Sequence, residues 1–148
     1  MQLRNAVIDD AEFILEIRND ESTRRNSFSK EEISFENHIK WYKKKLSDPD
    51  CFLYILEDGE KRIGNIRVDM NGDKGKVGEI SYMIAPAFRG QGYGSVILGL
   101  LEQQMKEKVK VLIGFVLSEN KASMKCFENN GYLKMPTGPV TCYLKIMD

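Results

Sequence analysis

The stretch EISYMIAPAFRGQGYGSVILGLLEQQM changes its hydrophobic period part-way, from about 2 before Pro86 to about 3.6 after it. A strand therefore ends at Ile84 and Pro86 breaks it. Beyond, Val96, Ile97, Leu100, Leu101 and Met105 line one side of a helix predicted to run to about Lys108. A chain that passes from sheet to helix through one short turn packs that helix on its own sheet, which points to an α+β layer structure.

The flanking segments agree. A short strand is predicted from Gln2 to about Val7, after which Asp9-Asp10 open a helix with Phe13, Ile14 and Ile17 on one face. Between Glu31 and Leu46, the residues Phe35, His38, Ile39, Tyr42 and Leu46 fall on a single helical stripe. FLYILEDGEKRIGNIRVDM reads as two strands joined at Asp58-Gly59, and a third strand, Lys76 to Ile84, follows the NGDKG turn to complete an antiparallel meander. KVLIGFVL is apolar for its length, as a central strand covered on both faces should be. A helix from Asn120 to Asn130 ends at Gly131, and Val140 to Met147 forms the last strand. The order is β-α-α-β-β-β-α-β-α-β, with room for an extra short strand around Tyr132.

With 148 residues, 42% of them hydrophobic and 30% charged, the chain fits one globular domain, 1–148. Twenty-two basic residues balance twenty-two acidic ones, so the overall field favours neither nucleic acid nor an anionic membrane, and any anion must be bound locally. The Lys43-Lys44-Lys45 run is a solvated face. No apolar stretch approaches the roughly 20 residues that span a bilayer. Cys51, Cys126 and Cys142 lack metal-like spacing and no secretory leader is evident, so no metal is expected and the expected compartment is the cytoplasm.

Gly90, Gly92 and Gly94 alternate just before the long helix. Bare backbone can approach a ligand closely, and the first N–H groups of a helix have no intrahelical acceptor, so the turn suits an anion such as phosphate, with Arg89 at its lip. The glycines could equally serve only a tight turn. A nucleotide P-loop would need Gly-Lys-Ser/Thr, and a dinucleotide loop would need glycine where Ser95 stands.

Arg89, Gly92 and Gly94 match the Arg/Gln-x-x-Gly-x-Gly/Ala loop of the GNAT superfamily of acyl-CoA-dependent N-acetyltransferases, and Asn120, followed by a helix ending at Gly131-Tyr132, matches its second motif. The chain resembles that superfamily over nearly its whole length. The resemblance implies a mixed, mostly antiparallel sheet splayed between its central strands, with helices on both faces. It further implies acetyl-CoA in the wedge, its pantetheine beside Met83 and Ile84 and its pyrophosphate on the amides of Gly90, Gln91, Gly92, Tyr93, Gly94 and Ser95. Asn120 would reach the pantetheine arm, although Asn also caps helices on its own account.

Acetyl transfer needs a neutral amine, a polarised thioester carbonyl and a proton for the departing sulfur. A backbone N–H near Ile84 is the expected donor to the carbonyl. Glu79 is the candidate base, against a solvated or cross-strand-paired role. Many relatives carry a protonating Tyr where Phe127 stands here, so Ser123, one helical turn earlier, is the substitute by spacing, with Cys126 and Tyr132 behind it.

The acceptor side falls on the first two helices and the loop between them, which offer Arg18, Asn19, Arg24, Arg25, Asn26, Phe28, His38 and Trp41. Arginines pair with phosphate and aromatics stack on bases. The segment resembles the front of acetyltransferases that modify 4-amino nucleotide sugars, and more loosely the ribosomal-protein N-terminal kind. Arg18, Asn19, Phe28, His38 and Trp41 are the candidate acceptor contacts, while His38 and Trp41 could instead serve the core. A non-catalytic acyl-CoA sensor is the rival class. The expected partner is a small-molecule amine, and the chain is expected to be a monomer or homodimer.

Overall fold

The computed structural model describes residues 1–71 and 76–147. Strand β1 (Gln2–Asn5) ends sooner than predicted because the chain turns through a short 3-10 segment, Ile8–Asp10, before helix α1 (Ala11–Asn19). A further short helix, α2 (Glu21–Arg25), has no apolar stripe and so escaped the periodicity; Asp20 caps it, its carboxylate accepting from the Ser22 and Thr23 amides. Helix α3 (Phe35–Leu46) starts four residues later than the stripe suggested, at a Ser34 cap whose hydroxyl accepts from Asn37 N–H at 3.2 Å. Strands β2 (Cys51–Asp58) and β3 (Lys61–Asn71) form the expected hairpin, with Gly59 at φ 63° as the first of two turn residues. The greater part of the NGDKG turn, residues 72–75, lies outside the described residues.

After β4 (Val77–Ile84) come α4 (Tyr93–Met105), β5 (Val111–Leu117), α5 (Lys121–Asn129), β6 (Leu133–Pro136) and β7 (Val140–Ile146). The extra strand expected near Tyr132 is β6. Gly131, at φ 79°, lets the Tyr132 amide fold back onto Phe127 O at 3.2 Å and close α5.

The seven strands lie in the order β1-β2-β3-β4-β5-β7-β6, antiparallel throughout except for β4 against β5. Alternate residues of β2 serve opposite faces: Tyr54 and Leu56 join the core with Leu98 and Leu101 of α4 and Met124 and Phe127 of α5, whereas Leu53 and Ile55 pack with Ile14 of α1 and Tyr42 of α3. Each such side chain contributes about 1.5–3 kcal/mol when fully buried. The outer face of β5, β7 and β6 lacks this cover; Phe115, Leu133, Met135 and Ile146 are exposed there. Helices therefore cover both faces only in the half formed by β1 to β4.

The parallel ladder runs from Val77↔Val111 to Ile80↔Gly114 and stops. β4 stays with β3 as far as Ile84, and β5 stays with β7 as far as Leu117, so their ends separate into a wedge. Ala85 N–H donates to Ile63 O, which by alternation assigns the backbone groups of Met83 to β3 and turns those of Tyr82 and Ile84 toward the wedge. The backbone lining the wedge is therefore that of Tyr82 and Ile84, while Met83 contributes its side chain.

Asp10 anchors the start of α1. It is 2% exposed, receives both terminal nitrogens of Arg4 at 2.8 and 2.9 Å, and accepts from Val7 N–H at 2.9 Å and from Arg62 at 3.3 Å. Burial pushes its pKa up, but the bonds from Arg4 and Val7 outweigh it and the net shift is downward. A carboxyl whose folded pKa is depressed stabilises the protein above its unfolded pKa, about 3.9, and loses that contribution as pH falls through the folded value. The thermal midpoint should accordingly drop steeply below about pH 4, and Asp10→Asn, measured by thermal unfolding across pH, should flatten that drop.

Candidate active site

Past Ala85 the chain makes a 3-10 turn at Pro86–Phe88, and Gly90 and Gly92 take φ 73° and 86°, a region other residues rarely adopt. Gly92 caps α4, whose ladder opens with Val96 N–H on Gly92 O at 3.3 Å; the Tyr93, Gly94 and Ser95 amides precede it. A Cβ on Gly90 or Gly92 would meet nothing within 4 Å, so open space lies above the loop. Gly94 has a different role. A Cβ there would lie 2.6 Å from Cys126 Sγ, so this glycine lets α4 approach α5.

A cleft of about 610 Å³ occupies this side of the wedge, lined by Met83, Ile84, Arg89, Gly90, Gly92, Tyr93, Gly94, Ser95 and Asn120. Gln91 alone of the predicted loop is missing; its side chain donates to Ala87 O at 3.3 Å. Arg89 is not a free charge at the lip. Its Nε donates to Ile84 O at 3.1 Å, and its terminal nitrogens reach Asp20 at 3.0 Å, Ser22 and Thr23, tying the loop to α2. The exposed cation on this cleft is Lys125, which sequence reading passed over for want of a motif. Asn120 caps α5, its Oδ1 accepting from Ser123 N–H at 3.3 Å, and it also lines the cleft.

A second cleft, about 280 Å³, opens on the α1–α3 side and meets the first at Asn26, Ser27, Tyr82, Met83, Asn120 and Ser123. Of the predicted acceptor contacts it gathers Arg18, Phe28 and Trp41. Asn19 is elsewhere, exchanging hydrogen bonds with the backbone of Ile33 at 2.8 and 2.9 Å and so fixing the loop before α3. His38 is fully buried and lines neither cleft. Its Nε2–H donates to Ala11 O at 2.9 Å, leaving Nδ1 to accept from Arg18 at 3.0 Å, and burial with the nearby Arg18 charge holds its pKa below the ordinary value. It is a neutral support for Arg18. Asn65, Arg67 and Ser81 also line this cleft and were missed, since each sits inside a strand with no local signature.

Glu79 lines neither cleft. It stands opposite Asp69 on β3 and Ile113 on β5, where the strands are still paired, and its charge is felt at Cys142. The structure does not bring the expected base to the site. Ser123 is there, with its Oγ 2.9 Å from Tyr82 Oη. Burial raises the Tyr82 pKa, so the phenol stays neutral at working pH. The Tyr82 ring packs edge-on against Phe127, ring centres 6.1 Å apart.

Among the described residues, no three His, Cys, Asp or Glu side chains gather as a metal site and no helix is long and apolar enough to cross a membrane.

A sheet wedged open between two parallel strands, with a glycine-capped helix below the opening, is a fold with known counterparts. Solved structures share it: spermidine N-acetyltransferase of Vibrio cholerae in complex with CoA and spermine superposes with a TM-score of 0.86 at 19% identity, covering 99% of this chain and 95% of that one. A ribosomal-protein α-N-acetyltransferase in complex with coenzyme A gives 0.85 at 16% identity, covering 99% and 93%. In sequence, YwnH of Bacillus subtilis (strain 168), a candidate phosphinothricin acetyltransferase, is 28% identical over 141 residues, spanning 89% of this chain and 83% of that protein. The family profile for the acetyltransferase (GNAT) domain matches residues 1–133, and the chain belongs to that family. It is an acetyl-CoA-dependent N-acetyltransferase.

Proposed function

We propose that this enzyme acetylates the primary amine of a small molecule, which reaches the wedge from the α1–α3 side, with a 4-amino nucleotide sugar as the acceptor type favoured by the Ile-Arg-Asn and His-x-x-Trp-Tyr segments. The observation that carries it is the meeting of a donor cleft and a smaller acceptor cleft at Tyr82 and Ser123. None of the three relatives above is a nucleotide-sugar enzyme, so that finer assignment rests on the resemblance alone.

Acetyl-CoA supplies a thioester whose carbonyl carbon takes the amine nitrogen as its C–S bond breaks. The residues fit that donor: the open glycine loop and the amides before Val96 suit a pyrophosphate, with Lys125 as counter-charge, and the backbone of Tyr82 and the Ile84 N–H face the wedge, where they can pair with an extended amide-containing chain, the Ile84 carbonyl being taken by Arg89. Ile84 N–H is the donor for the carbonyl oxygen. The Tyr82–Ser123 pair donates a hydrogen bond to the departing sulfur, and the proton that the acceptor amine loses passes to solvent. No carboxylate and no free imidazole lines the acceptor cleft, so the rate should rise with pH along the acceptor amine's own titration.

Purified protein incubated with acetyl-CoA and a panel of nucleoside-diphosphate amino sugars, amino acids, polyamines and peptides, with thiol detection, tests the reading. Release of coenzyme A with a small amine is expected. Release with peptides alone would make it a protein N-terminal acetyltransferase, and binding without release would make it a sensor. Gly92→Val should weaken acetyl-CoA binding about tenfold by calorimetry, because a β-branched residue at φ 86° is strained and its side chain projects over the loop; unchanged affinity would remove the loop from the site.

A further inference from the structure

We infer that the acceptor is an amine that also carries an oxyanion, carboxylate or phosphoryl, with Arg18 holding the oxyanion and Asn65 the amine. The inference rests on the transferase reading above and narrows its substrate class.

The charged residues lining the acceptor cleft are Arg18 and Arg67, with no Asp, Glu or Lys among them. Arg67 is matched by Asp69 at 2.7 Å. Arg18 has no carboxylate partner among the described residues; its guanidinium lies 4.4 Å from the Trp41 ring centre and donates to the neutral His38. Burial and the neighbouring Arg67 charge both disfavour its charged form. A half-buried guanidinium that is held in place by a histidine and an aromatic face, yet lacks a counter-charge, is an anion receptor. The same charges repel a polycation, so a polyamine is a poor acceptor.

The second observation concerns the amine end. Asn65 is 5% exposed, sits opposite Met83 in the β3–β4 ladder and lines the same cleft, yet its Oδ1 has no hydrogen-bond partner among the described residues. Among the described residues the side-chain amide makes no hydrogen bond through either terminal atom, and Oδ1 is the end that is buried, an acceptor awaiting a donor. Buried polar groups are rarely left unpaired, and an entering amine supplies the missing donor beside the junction of the two clefts.

The test uses the wild-type enzyme, with acetyl-CoA as donor for turnover and with coenzyme A bound for fluorescence. L-leucine and L-methionine are compared with their α-carboxamides, with a nucleoside-diphosphate 4-amino sugar and with spermidine. Both kcat/KM and the fluorescence of Trp41, the only tryptophan, are followed. Free acids should exceed their carboxamides at least about tenfold in kcat/KM and should change Trp41 fluorescence saturably where carboxamides do not. Whichever of the amino acids and the nucleotide sugar is preferred identifies the source of the oxyanion. Arg18→Gln should abolish the fluorescence response and raise KM about ten- to thirtyfold with kcat little changed, and Arg18→Lys should recover part of it. Carboxamides equal to acids, or a preference for spermidine, would overturn the inference. Turnover of neutral amines with no response to acids would sink this inference and leave the transferase reading standing; anion binding without turnover of any amine would sink the transferase reading and the acceptor assignment with it, leaving Arg18 an anion site only.

Discussion

Tyr82→Phe is expected to lower kcat about a hundredfold while leaving acetyl-CoA affinity within about twofold of wild type, because a positioned proton donor typically contributes 10²–10⁴ in rate and little to binding. The hydroxyl stands where the two clefts meet, 2.9 Å from Ser123 Oγ. Its raised pKa makes it a donor that stays protonated, stabilising the departing sulfur through a hydrogen bond rather than titrating in the working range. Ser123→Ala should fall less, since it removes the relay and leaves the phenol. Steady-state kinetics with calorimetric binding check both, and an unchanged kcat in Tyr82→Phe would take the pair out of the chemistry.

The second large effect is at Phe127. Its ring stacks on Tyr143 with centroids 5.0 Å apart, meets Tyr132 edge-on at 5.0 Å and is 2% exposed. Phe127→Ala should cost about 3–5 kcal/mol in denaturant unfolding. Phe127→Tyr, which restores the residue usual in relatives, should also lose about 1–3 kcal/mol and gain no activity. The reason is steric: a Cβ built on Gly114 would lie 2.5 Å from Phe127 Cζ, so an added hydroxyl is driven toward the backbone of β5. A more active Phe127→Tyr would mean that the ring tip faces the wedge after all.

These two residues also mark how far the sequence could be read. The place of Phe127 in its motif announced that the usual donor was absent. Nothing local announced Tyr82, because its hydroxyl reaches Ser123 from 41 positions away in sequence. Glu79 and Tyr82 lie on one strand, and side chains of both parities line the clefts, Ser81 and Met83 as well as Tyr82, so the alternation in EISYMI does not separate them. The register with β3, and the point at which β5 departs, decide that Tyr82 belongs to the site and Glu79 does not.

What the sequence determined by itself is what is set within a few residues: the strand-to-helix switch at Pro86, the left-handed glycines at Gly90 and Gly92, the Asn120 cap and the Gly131 stop. Each follows from backbone sterics or from a side chain bonding to its own turn. The tertiary structure alone decided the partners: Arg89 with Asp20, Arg18 with His38 and Trp41, Asn65 left without one, and Tyr82 with Ser123. Those pairings depend on strand register and helix placement across tens of residues, and a one-residue shift of register would send every one of the strand side chains to the opposite face.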